Sequence, residues 1–142
     1  LGVENINLLD SNNFLDLTST TNSLSGINIQ ITCGSGNDIL WLSDGSETIN
    51  SGNGNDKITV NGGTDNLVTG NGNDTIIVSS YSGNLTISDF NKSTDKFIFK
   101  TQVSDISTSG NTITASNSLG NYTIVLSNQS DLSDLSSYST YL

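Results

Sequence analysis

Apolar residues recur at a fixed interval in the middle of the chain. Residues 33–77 divide into nine-residue units that read CGSGNDILW, LSDGSETIN, SGNGNDKIT, VNGGTDNLV and TGNGNDTII. The eighth position of every unit is apolar, and one further step of nine reaches a sixth apolar residue: Leu40, Ile49, Ile58, Leu67, Ile76 and Leu85. A regular repeat of this kind is typical of solenoids, in which stacked coils bury a shared core.

Each unit predicts a turn followed by a short strand. Nine of the 14 glycines lie between residues 34 and 72, within the first six positions of the units, where they favour turns with positive φ. The last three residues of a unit, for example 57–59, predict a strand whose middle side chain points inward. Two strands and two turns make one coil, so each coil takes up two successive units. The pattern therefore predicts an all-β solenoid with two parallel sheets around a thin core.

The sixth position of every unit is acidic, and in every second unit it follows a full Gly-x-Gly-Asn turn. Asp38, Asp56 and Asp74 are one full coil apart, so we expect them to stack on one edge, with Glu47 and Asp65 on the opposite edge. Carboxylates stacked at the strand spacing of ~4.8 Å repel unless a cation lies between them. Carboxylate and carbonyl oxygens in high number suit Ca²⁺ better than Mg²⁺. The spacing therefore predicts calcium.

The composition narrows the function classes. Only 32% of the residues are hydrophobic, while Asn, Ser and Thr supply 61 positions, which favours strands and turns over helices. The net charge of −10, with four lysines and no arginine, argues against nucleic-acid binding. Without histidine and with Cys33 as the single cysteine, the segment has no internal disulfide, no His/Cys zinc site and no Ser-His or Cys-His chemistry. No apolar run is long enough to insert into a membrane.

The nonapeptides resemble the G-G-x-G-x-D-x-U-x repeats of the RTX (repeats-in-toxin) family. The sequences GSGND, GNGND and GNGND match the glycine and aspartate positions, whereas the first position departs from glycine at Cys33, Ser51 and Thr69. We call the three matching segments turn 1, turn 2 and turn 3: residues 33–38, 51–56 and 69–74.

The resemblance implies a right-handed β-roll with 18-residue coils and a Ca²⁺ ion between successive turns of one edge. Three turns then imply two good sites, with Asp56 serving both. The implied carbonyl ligands are those of Gly34, Ser35, Gly36, Gly52, Asn53, Gly54, Gly70, Asn71 and Gly72. Glu47 and Asp65 are expected to frame a weaker third site on the opposite edge.

The flanking segments predict end coils and a cap. Residues 1–32 are expected to form metal-free coils of the same solenoid, 33–86 the calcium-binding roll, and 87–142 a C-terminal cap with a hairpin, all in one continuous domain. Lys92 stands where the next aspartate of the column would fall at the same spacing, and we expect it to end the column. The segment LTISDFNKSTDKFIF resembles the closing segment of RTX domains exported by type I secretion, and the C-terminal tail resembles an export signal.

These features indicate a calcium-binding, non-enzymatic module that folds on Ca²⁺ after export. The expected setting is a secreted or cell-surface bacterial protein such as a surface-layer protein or adhesin, with self-association or a cell-surface saccharide as possible partners. The alternative is an accessory module of a secreted enzyme, namely a polysaccharide epimerase, lipase or protease. The chain begins without Met or a basic leader, so we expect a piece of a larger protein. Cys33 is expected to be inert, and Trp41 either to face solvent or to pack under the N-terminal coils.

Overall fold

The strands alternate along the chain with short turns and no α-helix among the described residues. The structure, a computed structural model, describes residues 3–18, 27–80, 82–100, 103, 105–137 and 139–141. The strands are β1 (Val3–Asn7), β2 (Phe14–Asp16), β3 (Asn28–Thr32), β4 (Ile39–Trp41), β5 (Ser46–Asn50), β6 (Lys57–Val60), β7 (Thr64–Val68), β8 (Thr75–Val78), β9 (Gly83–Ile87), β10 (Lys96–Phe99), β11 (Asp105–Ser109), β12 (Thr112–Asn117), β13 (Gly120–Leu126) and β14 (Ser139–Tyr141), with a 3-10 turn at Leu135–Ser137.

The strands form two sheets, and each strand belongs to one of them. Sheet A has the order β1-β3-β5-β7-β9-β13-β12-β11, and sheet B the order β14-β10-β8-β6-β4-β2. Through the middle of the chain, successive strands alternate between the sheets, and all neighbours pair in parallel. This arrangement confirms the predicted parallel solenoid.

The register of the repeats follows the spacing expected from the sequence. In sheet B, Leu40 pairs with Ile58 and Ile58 with Ile76; in sheet A, Ile49 pairs with Leu67. Each of these pairs joins residues two units apart. All five side chains are buried, as the apolar eighth positions predict.

The prediction that Leu85 continues the apolar row was wrong. Leu85 pairs with Asp65, and Ile87 pairs with Leu67, so this coil is two residues longer than the coils of the repeats. The register places the two additional residues in the turn between β8 and β9, which corresponds to the turn between β6 and β7 one coil earlier. Leu85 is nevertheless buried, because the shift of two residues keeps it on the inner face.

The ends of the solenoid are built differently. At the N-terminal end, Val3 pairs with Asn28 and Phe14 with Ile39, so each strand lies 25 residues before its partner (28 − 3 and 39 − 14), a longer step than in the repeats. At the C-terminal end, β11, β12 and β13 form an antiparallel meander, and β13 joins sheet A in parallel beside β9. The predicted hairpin cap is thus confirmed as β12–β13.

The core widens toward the C-terminal end. Leucine, isoleucine and valine fill it between the repeats, whereas Phe90, Phe97 and Phe99 fill the last coil. Phe97 stacks on Phe90 with a centroid distance of 4.7 Å and on Phe99 at 6.0 Å. Large aromatic side chains bury more apolar area per residue and therefore close a core that no further coil covers.

Glycine is required where the turns stack. Gly54 has a φ of 130°, and a Cβ atom added to it would lie 1.9 Å from the carbonyl oxygen of Gly36 in the turn below. The same relation recurs one coil later, where a Cβ on Gly72 would lie 1.8 Å from the oxygen of Gly54. Each turn can approach its neighbour this closely only because these side chains are absent.

We predict that Gly54→Ala strongly destabilises the fold. The new methyl group clashes with backbone, and the strained φ alone costs about 1–3 kcal/mol. The control is Gly110→Ala, because Gly110 also has positive φ (59°) but no atom lies within 4 Å of its added Cβ. Urea unfolding in saturating calcium should show a clearly larger loss of unfolding free energy for Gly54→Ala. Equal losses would contradict the stacking requirement.

Candidate metal sites

The predicted aspartate column lies on one edge of the solenoid, where turns 1, 2 and 3 stack. The Asp38 N–H donates to Asp56 Oδ1 at 2.8 Å, and the Asp56 N–H donates to Asp74 Oδ1 at 2.9 Å. Each accepting carboxylate therefore reaches back to the aspartate one coil earlier. The three side chains are at most 1% exposed.

The second oxygen of each aspartate has no partner. The Oδ2 atoms of Asp38, Asp56 and Asp74 are buried and accept no hydrogen bond. A buried carboxylate oxygen without a donor is costly, and stacked carboxylates add mutual repulsion. A cation between the layers removes both penalties, so the unpartnered oxygens fit a column of bound cations.

Backbone carbonyls complete the donor set. No three carboxylate or thiol side chains converge on one point among the residues that the structure describes. The carbonyl oxygens of Gly36 and Gly54 line the same stack, each under the glycine of the next turn, and accept no hydrogen bond from the described residues. Carboxylate plus carbonyl oxygen is the donor set that Ca²⁺ prefers.

Other predicted carbonyl ligands also hold the turns together. The Gly34 carbonyl accepts a hydrogen bond from Asn53 N–H at 2.9 Å, and the Asn53 carbonyl accepts one from Gly36 N–H at 2.8 Å. The next pair of turns repeats this bonding between Gly52, Asn71 and Gly54. Because a carbonyl oxygen has two lone pairs, each can still face a cation.

An asparagine ladder on the outside of the column explains the Asn before each aspartate. The Asn55 N–H donates to Asn37 Oδ1 at 2.7 Å, and the Asn73 N–H donates to Asn55 Oδ1 at 2.8 Å. These exposed side chains tie neighbouring turns together without metal. The sequence analysis missed this role, although the repeated Asn-Asp pair signals it.

The pKa values of Asp56 and Asp74 reflect how closely the buried carboxylates of the column are stacked. Burial, together with the neighbouring Asp95, Asp56 and Asp89, raises the pKa of Asp74 from its ordinary 3.8 to about 7. Burial also raises the pKa of Asp56, and Asp38 adds to this shift. Without metal, the carboxyls of Asp56 and Asp74 therefore ionise less readily than exposed ones.

The prediction that Lys92 ends the column was wrong. Three additional residues in the coil bring Asp95, rather than Lys92, into register with Asp74, as the pairing of Ile76 with Phe97 shows. The Asp74 N–H donates to Asp95 Oδ1 at 3.2 Å, so a fourth buried carboxylate continues the column. Lys92 Nζ instead contacts the Asp134 carboxylate at 3.0 Å.

Asp89 closes the C-terminal end of the turn stack. Its Oδ1 accepts the Thr69 N–H at 2.8 Å and its Oδ2 accepts the Gly70 N–H at 2.7 Å. These donors belong to turn 3, which has no fourth repeat above it. The carboxylate thus satisfies N–H groups that a further turn would otherwise satisfy.

A loop outside the repeats closes the N-terminal end in a similar way. Asp10 Oδ1 accepts the Ser35 N–H at 2.9 Å, and Asn12 Oδ1 accepts the Asn37 N–H at 2.7 Å. The Asn12 bond repeats the one that Asn37 Oδ1 makes to turn 2, while the Asp10 carboxylate replaces the glycine carbonyl that accepts the equivalent N–H of turn 2. Periodicity could not reveal them, because the loop precedes turn 1 by a longer step than the one that separates the repeats.

The opposite edge brings Glu47 and Asp65 together. The Glu47 N–H donates to Asp65 Oδ1 at 3.0 Å, and the Ser43 hydroxyl donates to Glu47 Oε1. Glu47 Oε2, Asp65 Oδ2 and the Tyr122 hydroxyl are buried and have no partner. Burial raises the pKa of Asp65, and Glu47 adds to the shift. Tyr122, from the C-terminal meander, is a neighbour that the sequence analysis did not foresee.

Cys33 and Trp41 occupy the positions expected of non-catalytic residues. Cys33 is fully buried, and burial raises the pKa of its thiol to about 12, so it is a poor nucleophile. Trp41 is 40% exposed on the outer face of sheet B, where its ring contacts Phe14 edge-on at 5.1 Å.

Comparisons with known proteins agree with this geometry. Residues 31–58 and 41–76 match the family model of the RTX calcium-binding nonapeptide repeat. RTX repeats bind calcium and form a structural rather than a catalytic module, in proteins that are typically secreted. The resemblance seen in the sequence is thereby confirmed.

No curated protein matches this chain. Among solved structures, the chain is similar to the AlgE6R3 subunit of a mannuronan C5-epimerase from Azotobacter vinelandii, with 21% identity over 100% of this chain and 84% of that chain, and a TM-score of 0.34. None of the residues described here forms a helix long and apolar enough to span a membrane.

We predict that the unfolding free energy of the calcium-free protein increases as the pH falls from about 7.5 to about 5. In this range the folded state binds a proton on Asp74 that the unfolded state does not bind, so the unfolding free energy rises as the pH falls toward 3.8. Circular dichroism of calcium-free protein at several pH values measures the folded fraction and thereby the slope. Asp74→Asn should flatten it, whereas Asp105→Asn, at an exposed position of β11, should not. Stability that rises with pH would contradict the assignment.

Proposed function

We propose that this chain is a calcium-folded structural module in which single Ca²⁺ ions lie between successive carboxylates of the aspartate column. The observation that carries the proposal is the row of buried Oδ2 atoms without donors. The ions would lie between Asp38 and Asp56, between Asp56 and Asp74, and between Asp74 and Asp95. The third pair is an addition to the two sites expected from the repeats alone.

The proposed ligands are the carboxylates together with turn carbonyls. Gly34, Gly36, Gly52, Gly54, Gly70 and Gly72, with Ser35, Asn53 and Asn71, supply the carbonyl oxygens. Bound calcium neutralises the buried charge, which is its chemical contribution here. The protein's own part is to hold the turns at a close, fixed spacing through the glycine contacts and the asparagine ladder.

Calcium binding then drives folding. Without metal, the buried carboxylates repel each other, and the thin core of a chain that is only 32% hydrophobic offsets little of the chain entropy. At a tenfold excess of calcium over Kd, each site adds about 1.4 kcal/mol to stability. A calcium-rich extracellular medium would therefore fold a chain that stays largely unfolded in a calcium-poor cytoplasm, which suits passage through a type I export channel.

The setting that we propose is a secreted or cell-surface protein, such as a surface-layer protein or adhesin, in which the module serves assembly. The Asn-, Ser- and Thr-rich composition and the absence of histidine support a structural role. Self-association into an array and contact with a cell-surface saccharide are proposed partner interactions.

We predict that Asp56→Asn raises the calcium concentration at the folding midpoint at least about tenfold, or ~1.4 kcal/mol, because Asp56 would bind the ions on both sides of it. Circular dichroism during calcium titration measures the midpoint, and isothermal titration calorimetry counts the ions. Asp105→Asn removes one acidic charge from the exposed hairpin and should leave both unchanged. A wild-type chain that is fully folded in chelator, with no change on adding calcium, would contradict the proposed function.

We further propose a weaker calcium site at Glu47 and Asp65. Asp65→Asn should remove the weakest binding event from the calorimetric titration while leaving the tighter events in place. In chelator the same change should raise the folded fraction measured by circular dichroism, because it removes one of two facing buried carboxylates. An unchanged ion count would contradict a site on this edge.

A further inference from the structure

At the N-terminal end of the column, a group of oxygen atoms surrounds the side-chain amide of Asn13 instead of a carboxylate. We call these oxygens, from Leu9, Ser11 and Asp38, the cage. Asn13 pairs in position with Asp38, because the next residues, Phe14 and Ile39, are partners in the parallel register of β2 and β4. The Asn13 N–H donates to Asp38 Oδ1 at 2.7 Å. This is the bond that the Asp38 N–H makes to Asp56 one coil later. Asn13 thus occupies the aspartate position of a coil below turn 1.

The side-chain nitrogen of Asn13 is surrounded by oxygen. Its Nδ2 donates to the carbonyls of Leu9 at 2.9 Å and Ser11 at 2.6 Å, and to Asp38 Oδ1 at 2.9 Å. All three neighbours are acceptors, so only the NH₂ end of the amide can face them. In the same register, Leu9 corresponds to Gly34 and Ser11 to Gly36.

The repeats place the opposite chemistry in the same surroundings. Where Asn13 presents an NH₂ group, Asp38, Asp56 and Asp74 each present an oxygen without a donor. An oxygen atom that lies among carbonyls and beside a carboxylate requires a cation. An amide NH₂ group instead carries a partial positive charge and donates hydrogen bonds to these oxygens.

We propose that the Asn13 amide takes the place of the cation in the first layer, so that the N-terminal coil docks on turn 1 without calcium and the ion column begins at Asp38. This inference rests on the proposed calcium column. It assigns Asn13 the role of deciding where the column starts, and it makes the cage of Leu9, Ser11 and Asp38 a latent calcium site.

Asn13→Asp tests the inference. The substitution replaces the NH₂ group by oxygen and should create one additional calcium site, so that calorimetry or native mass spectrometry counts one more ion per chain than in wild type. The matched control is Asn12→Asp, which adds the same charge one residue away. Asn12 is exposed, and its Oδ1 already accepts the Asn37 N–H, so the aspartate keeps that bond and adds no ion.

A second measurement covers the case in which Asn13→Asp folds poorly without metal. At a calcium concentration that just folds the wild type, Asn13→Asp should lower the thermal midpoint, and saturating calcium should bring it back to the wild-type value, while Asn12→Asp should change little in either condition. An unchanged ion count in Asn13→Asp, or an equal gain in Asn12→Asp, would overturn the inference. So would a crystal structure of the calcium-loaded wild type with an ion bound by Asn13 Oδ1.

The two proposals fail separately. A wild-type chain that binds no calcium contradicts the proposed function. In a wild-type chain that does bind calcium, the difference in ion count between Asn13→Asp and wild type decides the role of Asn13.

Discussion

Stacking one aspartate directly above another inside a dry edge is the constraint on which the rest of the structure depends. At each of Asp38, Asp56 and Asp74 a backbone N–H satisfies one carboxylate oxygen and leaves the other buried without a donor. The stack therefore carries an electrostatic cost that protein groups alone do not remove, and a divalent cation with oxygen preference removes it. In the proposed function, folding and metal binding are a single event, because the site exists only when the coils are stacked.

The rest of the turn chemistry keeps these layers at a constant spacing. Glycine permits the carbonyl of one turn to lie against the backbone of the next, and the asparagine ladder ties the outer rim together. Both devices are independent of the ion. They explain why a turn with so little apolar area can be ordered: its backbone groups are satisfied by the neighbouring turn rather than by water.

The ends of the stack need other residues, because no further repeat is present to satisfy them. At the C-terminal end, the Asp89 carboxylate accepts the N–H groups of turn 3, and Asp95 continues the column. At the N-terminal end, Asp10, Asn12 and Asn13 reproduce the bonds of a preceding turn. The column therefore ends in an amide on its N-terminal side and in carboxylates on its C-terminal side.

The central part of this architecture could be read from the sequence, and the ends could not. The nine-residue spacing of Leu40, Ile49 and Ile58 determines which side chains face inward, and the doubled spacing of Asp38, Asp56 and Asp74 determines the edge they share, since both follow from a constant coil length. Where the coil length changes, spacing no longer indicates position: Leu85 lies beside Asp65, and Asp95 takes the place predicted for Lys92. Only the tertiary structure decides these registers, because they depend on how coils longer than the repeat fold back onto the stack. It alone also brings Tyr122 beside Glu47 and Asp65, and Asn13 beneath Asp38, because each contact joins segments that no local pattern relates.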